Sequence, residues 1–322
     1  MISAYVQQDG NLHKRQIVAG EALPAEAVWI DLLEPDDAES LCVEEALGLE
    51  LPTREEMKEI EISSRLYMEG PISFMTASVL ARSATDRPTS VPVTFVLTGK
   101  TLVTVRYGDP TSFRQFCQSI ERGTFHARTS EEVLAGLLDA VVDRIADIIE
   151  RVQYEMDELS SKVFMRHRVR GDVNFDEVLR QVGMGQGLVA RARDSLLTVG
   201  RVVNFVSRPG ETKPDKATSR LLKTVARDIS SLNDHVTFLS NNINFLLSAT
   251  LGMINNEQTT IIKIFSVVAV VLLPPTWVAS VYGMNFQFMP ELSWEWGYPM
   301  SIGLMVLAAV LPYLFFKYRR WL

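Results

Sequence analysis

Two stretches near the C-terminal end constrain this chain more than anything else in it. No charged side chain occurs from Ile264 to Pro290, and none from Gly297 to Phe316. Within them, Ile264–Tyr282 and Tyr298–Phe316 are each about 19 residues long, enough helix to cross a hydrocarbon core. A buried core helix can be equally apolar, but two such runs in succession are better explained as membrane spans. Lys263 precedes the first run, and Lys317, Arg319 and Arg320 follow the second. The segment between carries Glu291 and Glu295 and no Lys or Arg. Because basic residues stay on the cytoplasmic side, both termini are expected in the cytoplasm and the loop outside. Trp294, Trp296, Tyr298, Tyr318 and Trp321 stand at the span ends, as interfacial aromatic residues do. Pro274-Pro275 would break a soluble helix. In a membrane bundle, neighbouring helices or pore water can satisfy the freed carbonyls. Two helices cannot enclose a hydrophilic path, so any pore requires several copies of the chain.

The rest of the chain has the texture of a soluble protein. Its 322 residues are enough for about two domains. The formal charge of −7 argues against nucleic acid as a partner, since such binders need a basic face. It suits a protein that handles cations. Cys42 and Cys117 are far apart and form no C-x-x-C pair, which fits a reducing compartment without a disulfide framework. The N-terminus shows no basic segment followed by an apolar one, so no cleavable signal is expected.

Residues 1–130 read as an α/β domain. Short β-rich runs occur at Ala27–Leu33, Ser73–Leu80, Val91–Leu97 and Thr101–Tyr107, the last two joined by Gly99-Lys100, a pair suited to a hairpin turn. Thr53-x-x-Glu56 and Thr129-x-x-Glu132 have capping-box spacing, the second heading a helix that runs to about Arg168. That helix carries Leu134, Leu137, Leu138, Val141, Ile145, Ile148, Ile149, Val152 and Met156 as an apolar stripe. A second helical pattern covers Phe175–Val206, and the proline-rich stretch 207–214 turns the chain. Residues 131–213 are therefore expected to form a helical hairpin. Between Pro214 and Pro274 there is no proline and only Gly252, so one helix from Ala217 to Tyr282 is the simplest reading. At 1.5 Å per residue it would be on the order of 100 Å long, too long for one globular domain. The expected order is α/β domain, hairpin, stalk 214–263, span 264–282, outer loop 283–297, span 298–316 and a basic tail 317–322: an α+β membrane protein.

The first span ends in Tyr282-Gly283-Met284-Asn285-Phe286, followed by Met289-Pro290-Glu291-Leu292. Together with Ile261–Val268, Leu273-Pro274-Pro275-Thr276 and the closing Trp321-Leu322, these residues resemble the CorA family of magnesium channels over the whole chain. The tripeptide Gly-Met-Asn is weak evidence alone. At the outer end of the first of two C-terminal spans it is strong. The resemblance implies a homopentameric funnel in a bacterial inner membrane. It implies Mg²⁺ as cargo, with Co²⁺ and Ni²⁺ as further candidates, and closure when cytoplasmic Mg²⁺ is high. Zinc-transporting relatives commonly carry another residue where Met284 stands, so Met284 favours magnesium.

The motif also has a physical rationale. Mg²⁺ holds its water shell tightly and dehydrates reluctantly. A selective entrance should therefore recognise the hydrated ion through neutral oxygen acceptors. The Asn285 amide oxygen and the Gly283 carbonyl, repeated around a ring, would supply them. Gly283 would also let the chain turn out of the helix at the mouth, and Asn285 could be no more than a cap after that glycine. The resemblance places pore-facing positions at Thr259, Ile262, Phe265, Leu273 and Thr276. The apolar members could form a constriction that closes by dewetting, although ordinary helix packing would use the same stripe. Glu291 is the better candidate of the two loop carboxylates for attracting cations.

Asp139, Asp143, Asp147 and Glu150 follow one helix face, with Asp157 and Glu158 beyond. Bound Mg²⁺ would relieve their repulsion, yet each carboxylate could also be simply solvated. Gly183-Met184-Gly185-Gln186-Gly187 lacks the strand, spacing and Lys-Ser/Thr of a phosphate loop. His13, His126, His167 and His235 have no metal-ligand spacing, and no nucleophile–base pair stands out, so no enzyme is expected. Two other functions stay open: a membrane-anchored divalent-cation sensor without transport, and a zinc transporter of the same superfamily.

Overall fold

The computed structural model describes residues 1–8, 10–18, 20–82, 88–164, 174–207, 215–285 and 289–319. It divides into two compact units, Met1–Leu247 and Ser248–Leu322. The strands are β1 Ile2–Gln8, β2 Asn11–Ile17, β3 Ala27–Leu33, β4 Leu66–Glu69, β5 Ile72–Ala81, β6 Thr89–Leu97 and β7 Leu102–Arg106. The helices are α1 Asp37–Leu47, α2 Ile62–Arg65, α3 Thr111–Glu121, α4 Ser130–Phe164, α5 Phe175–Val206, α6 Lys216–Tyr282 and α7 Gly297–Tyr318.

In the first unit the strands form one seven-stranded sheet in the order β2-β1-β3-β7-β6-β5-β4. Only β3 and β7 run parallel; every other neighbouring pair is antiparallel. The expected runs at β3, β5, β6 and β7 are all strands, and at the β6–β7 turn Gly99 takes φ 85° while Thr98 N–H donates to the Thr101 carbonyl at 3.1 Å. β1 and β2 were not foreseen. β2 lies at the sheet edge, and between its buried Leu12 and Ile17 it shows water His-Lys-Arg-Gln, so apolar alternation is nearly absent from its sequence. Such charged residues also discourage another strand from pairing there.

Three details hold the first unit together. The Trp29 ring stacks on Tyr5 with centroids 4.2 Å apart, and its Nε1–H donates to Thr104 Oγ1 at 3.0 Å. β4 pairs with β5 only as far as Met75, which leaves the later part of β5 open on that side. There Ser195 Oγ of α5 donates to the Ser78 carbonyl at 2.7 Å, and Ser78 N–H donates to Thr198 Oγ1 at 3.0 Å. Side-chain hydroxyls thus satisfy backbone groups that a further strand would otherwise take. Finally, His235 Nε2 lies 2.7 Å from Gln153 Oε1, and the Phe164 and Phe245 rings stack, which packs α6 on α4.

The apolar stripe foreseen on α4, Leu134 to Met156, is buried throughout. Its capping box is only half formed: Glu132 N–H reaches Thr129 Oγ1 at 3.3 Å, while the Glu132 carboxylate accepts from Arg128 N–H. The box at Thr53 has both halves, 2.8 and 3.3 Å, yet heads only a single 3-10 turn, Glu56–Lys58. Met57 is the one buried residue of that turn, so no apolar stripe exists to carry a longer helix. The expected end of α4 at Arg168 and most of the 207–214 turn lie outside the described residues.

α6 changes character along its 67 residues. Leu222, Val225, Ile229, Val236, Leu239, Ile243 and Leu246 are buried, an amphipathic stripe that stops at the end of the first unit. In the second unit the same helix exposes Ile261, Ile262, Ile264, Phe265, Val268, Leu272 and Leu273, and α7 exposes Leu304, Val306, Leu307, Val310 and Leu311. Both helices are long and apolar enough to cross a membrane. Helices that expose apolar residues on every side suit lipid or further copies rather than water.

Candidate functional site

The Gly-Met-Asn tripeptide sits where α6 ends. Gly283 N–H still makes a helical bond to the Ala279 carbonyl at 2.9 Å, and Met284 N–H makes a longer one, spanning only three residues, to the Val281 carbonyl at 3.3 Å. Asn285 follows, exposed, and among the described residues nothing hydrogen-bonds its amide. The helix ends at Tyr282, directly before Gly283, and Gly283 makes the exit without positive φ. Among the described residues the glycines with positive φ are Gly10, Gly20, Gly48, Gly70, Gly99 and Gly123. A Cβ at Gly283 would stand 3.0 Å from the Ala279 carbonyl oxygen, a tight contact that a shift of a few tenths of an ångström relieves. Met284 is exposed, and Phe286 lies outside the described residues.

Thr259, Ile262, Phe265, Leu273 and Thr276 all project from the part of α6 in the second unit, and all are exposed in the single chain. At 100° per residue they fall within an arc of roughly 120°. Thr276 Oγ1 donates to the Leu273 carbonyl at 2.8 Å, and Thr259 Oγ1 donates to the Asn255 carbonyl at 2.8 Å. Each hydroxyl proton is thereby turned back onto its own helix, and the oxygen keeps lone pairs for an outside donor. A hydrated cation presents only donors, the outward hydrogens of its water. Pro274 and Pro275 lie inside the helix and carry no N–H, so the carbonyls of Val270 and Val271 lose their usual donors.

Beyond Asn285 the chain reaches a 3-10 turn, Pro290–Ser293, which Pro290 starts and which Ser293 Oγ closes by donating to the Pro290 carbonyl at 2.8 Å. Glu291 and Glu295 are both exposed. Trp294, Trp296, Tyr298 and Tyr318 are exposed too, whereas Arg320 and Trp321 lie outside the described residues.

In the first unit, Asp139 is half-buried while Asp143, Asp147 and Glu150 are exposed. Loss of water, then the charges of Asp143 and Asp228, push the Asp139 carboxyl above its ordinary range. Loss of water, then Asp147 and Asp228, do the same to Asp143. Asp147 is partly neutralised by Arg144 at 3.4 Å. Asp228 belongs to α6, and no reading of the α4 pattern alone would have found it. Among the described residues no three His, Cys, Asp or Glu side chains converge closely enough to hold an ion within one chain.

Known proteins give this geometry a context. Residues 24–319 match the family described as CorA-like Mg²⁺ transporter protein. The magnesium transport protein CorA of Escherichia coli K12 is 36% identical over 322 residues, covering 100% of both chains. The protein of the same name from Salmonella typhimurium LT2 is also 36% identical, again with 100% of both covered. The complete structure of the CorA magnesium transporter from Methanocaldococcus jannaschii superposes with a TM-score of 0.79 at 18% identity, covering 100% of this chain and 99% of the other. At that identity the superposition speaks for the fold alone, and it extends over the sheet unit, the long helix and both candidate spans. By sequence and by fold, this chain belongs to the CorA-like Mg²⁺ transporter family.

Proposed function

We propose that the chain is one subunit of a homopentameric channel that admits Mg²⁺ across a bacterial inner membrane, with N- and C-termini in the cytoplasm. The observation that carries this reading is the exposed Asn285 amide at the outer end of an apolar helix, directly after Gly283 and Met284. Full-length relatives named as magnesium transport proteins support the choice of cargo. The hydrated ion would meet the Asn285 and Gly283 oxygens repeated around the mouth and keep its water shell. It would then pass the Thr276 oxygens, which act only as acceptors, and an apolar constriction at Leu273, Phe265 and Ile262. Glu291 raises the local cation concentration at the entrance. Co²⁺ and Ni²⁺ are the further cargo to test. No reaction is catalysed, so the driving force is the ion gradient and the membrane potential.

Closure fits the charge pattern. Asp139, Asp143 and Asp228 repel one another in the absence of a counter-ion. Mg²⁺ bridging neighbouring subunits would offset that repulsion and favour one symmetric arrangement. Linkage requires the closed state to bind Mg²⁺ more tightly than the open one. Ion flux into liposomes containing only this protein tests the reading. Mg²⁺ entry that Asn285→Ala abolishes is expected. A wild-type protein that assembles but passes no Mg²⁺ would leave only an anchored sensor, and flux confined to Zn²⁺ would make it a zinc transporter.

A further inference from the structure

The outer loop contains a glycine whose role lies in what it leaves empty. Gly297 opens α7 and is buried, although its neighbours Trp296 and Tyr298 are 66% and 77% exposed. A Cβ at this position would stand 2.3 Å from the Glu291 carbonyl oxygen and 3.4 Å from the Glu291 carbonyl carbon. The obstructed atoms are backbone, so no side-chain rotation can make room. Backbone conformation does not explain the glycine, because its φ lies outside the left-handed region. What the missing side chain permits is contact: the 3-10 turn carrying Glu291 sits directly on the first residue of α7.

Two hydrogen bonds define that seat. Trp294 N–H donates to the Glu291 carbonyl at 3.3 Å, and Gly297 N–H donates to the Trp294 carbonyl at 2.9 Å. Pro290, with its fixed φ, starts the turn, and the Ser293 hydroxyl closes it on the Pro290 carbonyl at 2.8 Å. Glu291 is therefore held from both sides, by the turn that contains it and by the helix beneath it. By contrast Gly303, further along α7, has open space around it.

We propose that Gly297 is a positioning residue of the ion entrance: it seats the Pro290–Ser293 turn on α7 and so fixes where the Glu291 carboxylate stands. The inference rests on the transport reading above, in which Glu291 gathers cations. Adding a methyl group at Gly297 lifts the turn and carries Glu291 with it. The field at the mouth weakens, while the helices that conduct the ion are untouched. Its mark is thus a change in half-saturation rather than in maximal rate.

The test uses the full chain in liposomes, with initial Mg²⁺ influx measured against external Mg²⁺. Gly297→Ala is expected to raise the half-saturating concentration several-fold and leave the maximal rate within about twofold. Glu291→Gln should do the same, the double variant should be no worse than either alone, and Gly303→Ala should behave as wild type. Hydrogen exchange over residues 289–300 supplies a readout independent of transport, expected to accelerate about tenfold in Gly297→Ala and not in Gly303→Ala. Unchanged exchange, effects that multiply in the double variant, or a loss confined to the maximal rate would each overturn the proposal. If wild type passes no Mg²⁺ while exchange changes as expected, the seat stands and the transport reading falls. Should Gly297→Ala fail to assemble, Ser293→Ala, which loosens the same turn from within, must shift half-saturation in the same direction.

Discussion

The Arg106 guanidinium grips the Asp31 carboxylate with two parallel hydrogen bonds, Nε to Oδ1 at 3.0 Å and Nη2 to Oδ2 at 2.8 Å, and both side chains are about 95% buried. The pair joins β3 to β7, the only parallel neighbours in the sheet. Nη1 continues to Asp109 at 2.7 Å and to the Gly108 carbonyl at 3.1 Å, and the guanidinium lies over the Phe113 ring. Thr104 adds a hydroxyl to Asp31 Oδ1 at 2.7 Å. Every face of the ion pair is thus satisfied, which is the condition for burying two charges without a large net cost.

Removing one partner leaves the other charged and buried. Arg106→Ala or Asp31→Ala should destabilise the protein by roughly 3–5 kcal/mol, whereas replacing both with apolar residues of matched volume should cost much less. Thermal unfolding of the detergent-solubilised full chain, followed by circular dichroism, measures this. Single and double variants of equal stability would show that the pair is a surface contact in solution.

The acidic cluster predicts a pH dependence of definite sign. Asp139 and Asp143 are raised in the folded state by loss of water and by their acidic neighbours. Their contribution is therefore fully favourable below the unfolded aspartate value, about 4, and is lost as pH rises through the folded values. At neutral pH they are a standing cost. Asp143→Asn should stabilise the protein at pH 7 by a few tenths of a kcal/mol after solvent screening, and by nothing measurable near pH 3. Millimolar Mg²⁺ should shrink the difference at pH 7. A variant less stable than wild type at pH 7 without divalent ions would refute the repulsion.

At the mouth, Asn285→Ala should lower Mg²⁺ flux by at least about tenfold with expression and oligomer size unchanged, since on the proposed reading the lost group accepts from ion-bound water, and its side chain is exposed. Wild-type flux in this variant would reduce Asn285 to a helix cap.

Leu273→Ser tests the constriction. Its side chain is 64% exposed in the single chain, so the change removes little packing within a subunit. Conductance at high Mg²⁺ should rise because the proposed constriction becomes wettable, while the protease pattern of the Met1–Leu247 unit and its Mg²⁺ dependence stay as in wild type. A protease pattern identical with and without Mg²⁺ in the wild type would remove the cytoplasmic sensor from the account.

Topology is tested by cysteine labelling in a chain whose own Cys42 and Cys117 are replaced. A thiol at position 293 should react from outside the membrane, and thiols at 10 and 322 only from inside. The opposite pattern would overturn the orientation drawn from Lys263 and Lys317.

Much of this architecture was readable because its signals are long. The absence of proline from 215 to 273 marks α6, and the three- and four-residue steps from Leu134 to Met156 mark α4. β2 escaped because an edge strand need not alternate, and its His-Lys-Arg-Gln faces water. Asp228 escaped because its approach to Asp139 depends on how α6 packs on α4, which neither helix encodes alone. Gly283 stands at the helix end as its place in the sequence implied, but that it leaves the helix without positive φ was not legible there. Gly297 gave no sign at all, since its constraint is a carbonyl six residues earlier in an irregular turn.

The backward-turned hydroxyl protons of Thr259 and Thr276 have one more consequence. Anions are solvated by hydrogens, and at these two positions the threonine side chains turn theirs away. Chloride or phosphate passing either threonine would find no hydroxyl proton there to replace its lost water. On the proposed reading, those two rings would favour cations over anions without placing a carboxylate in the apolar segment.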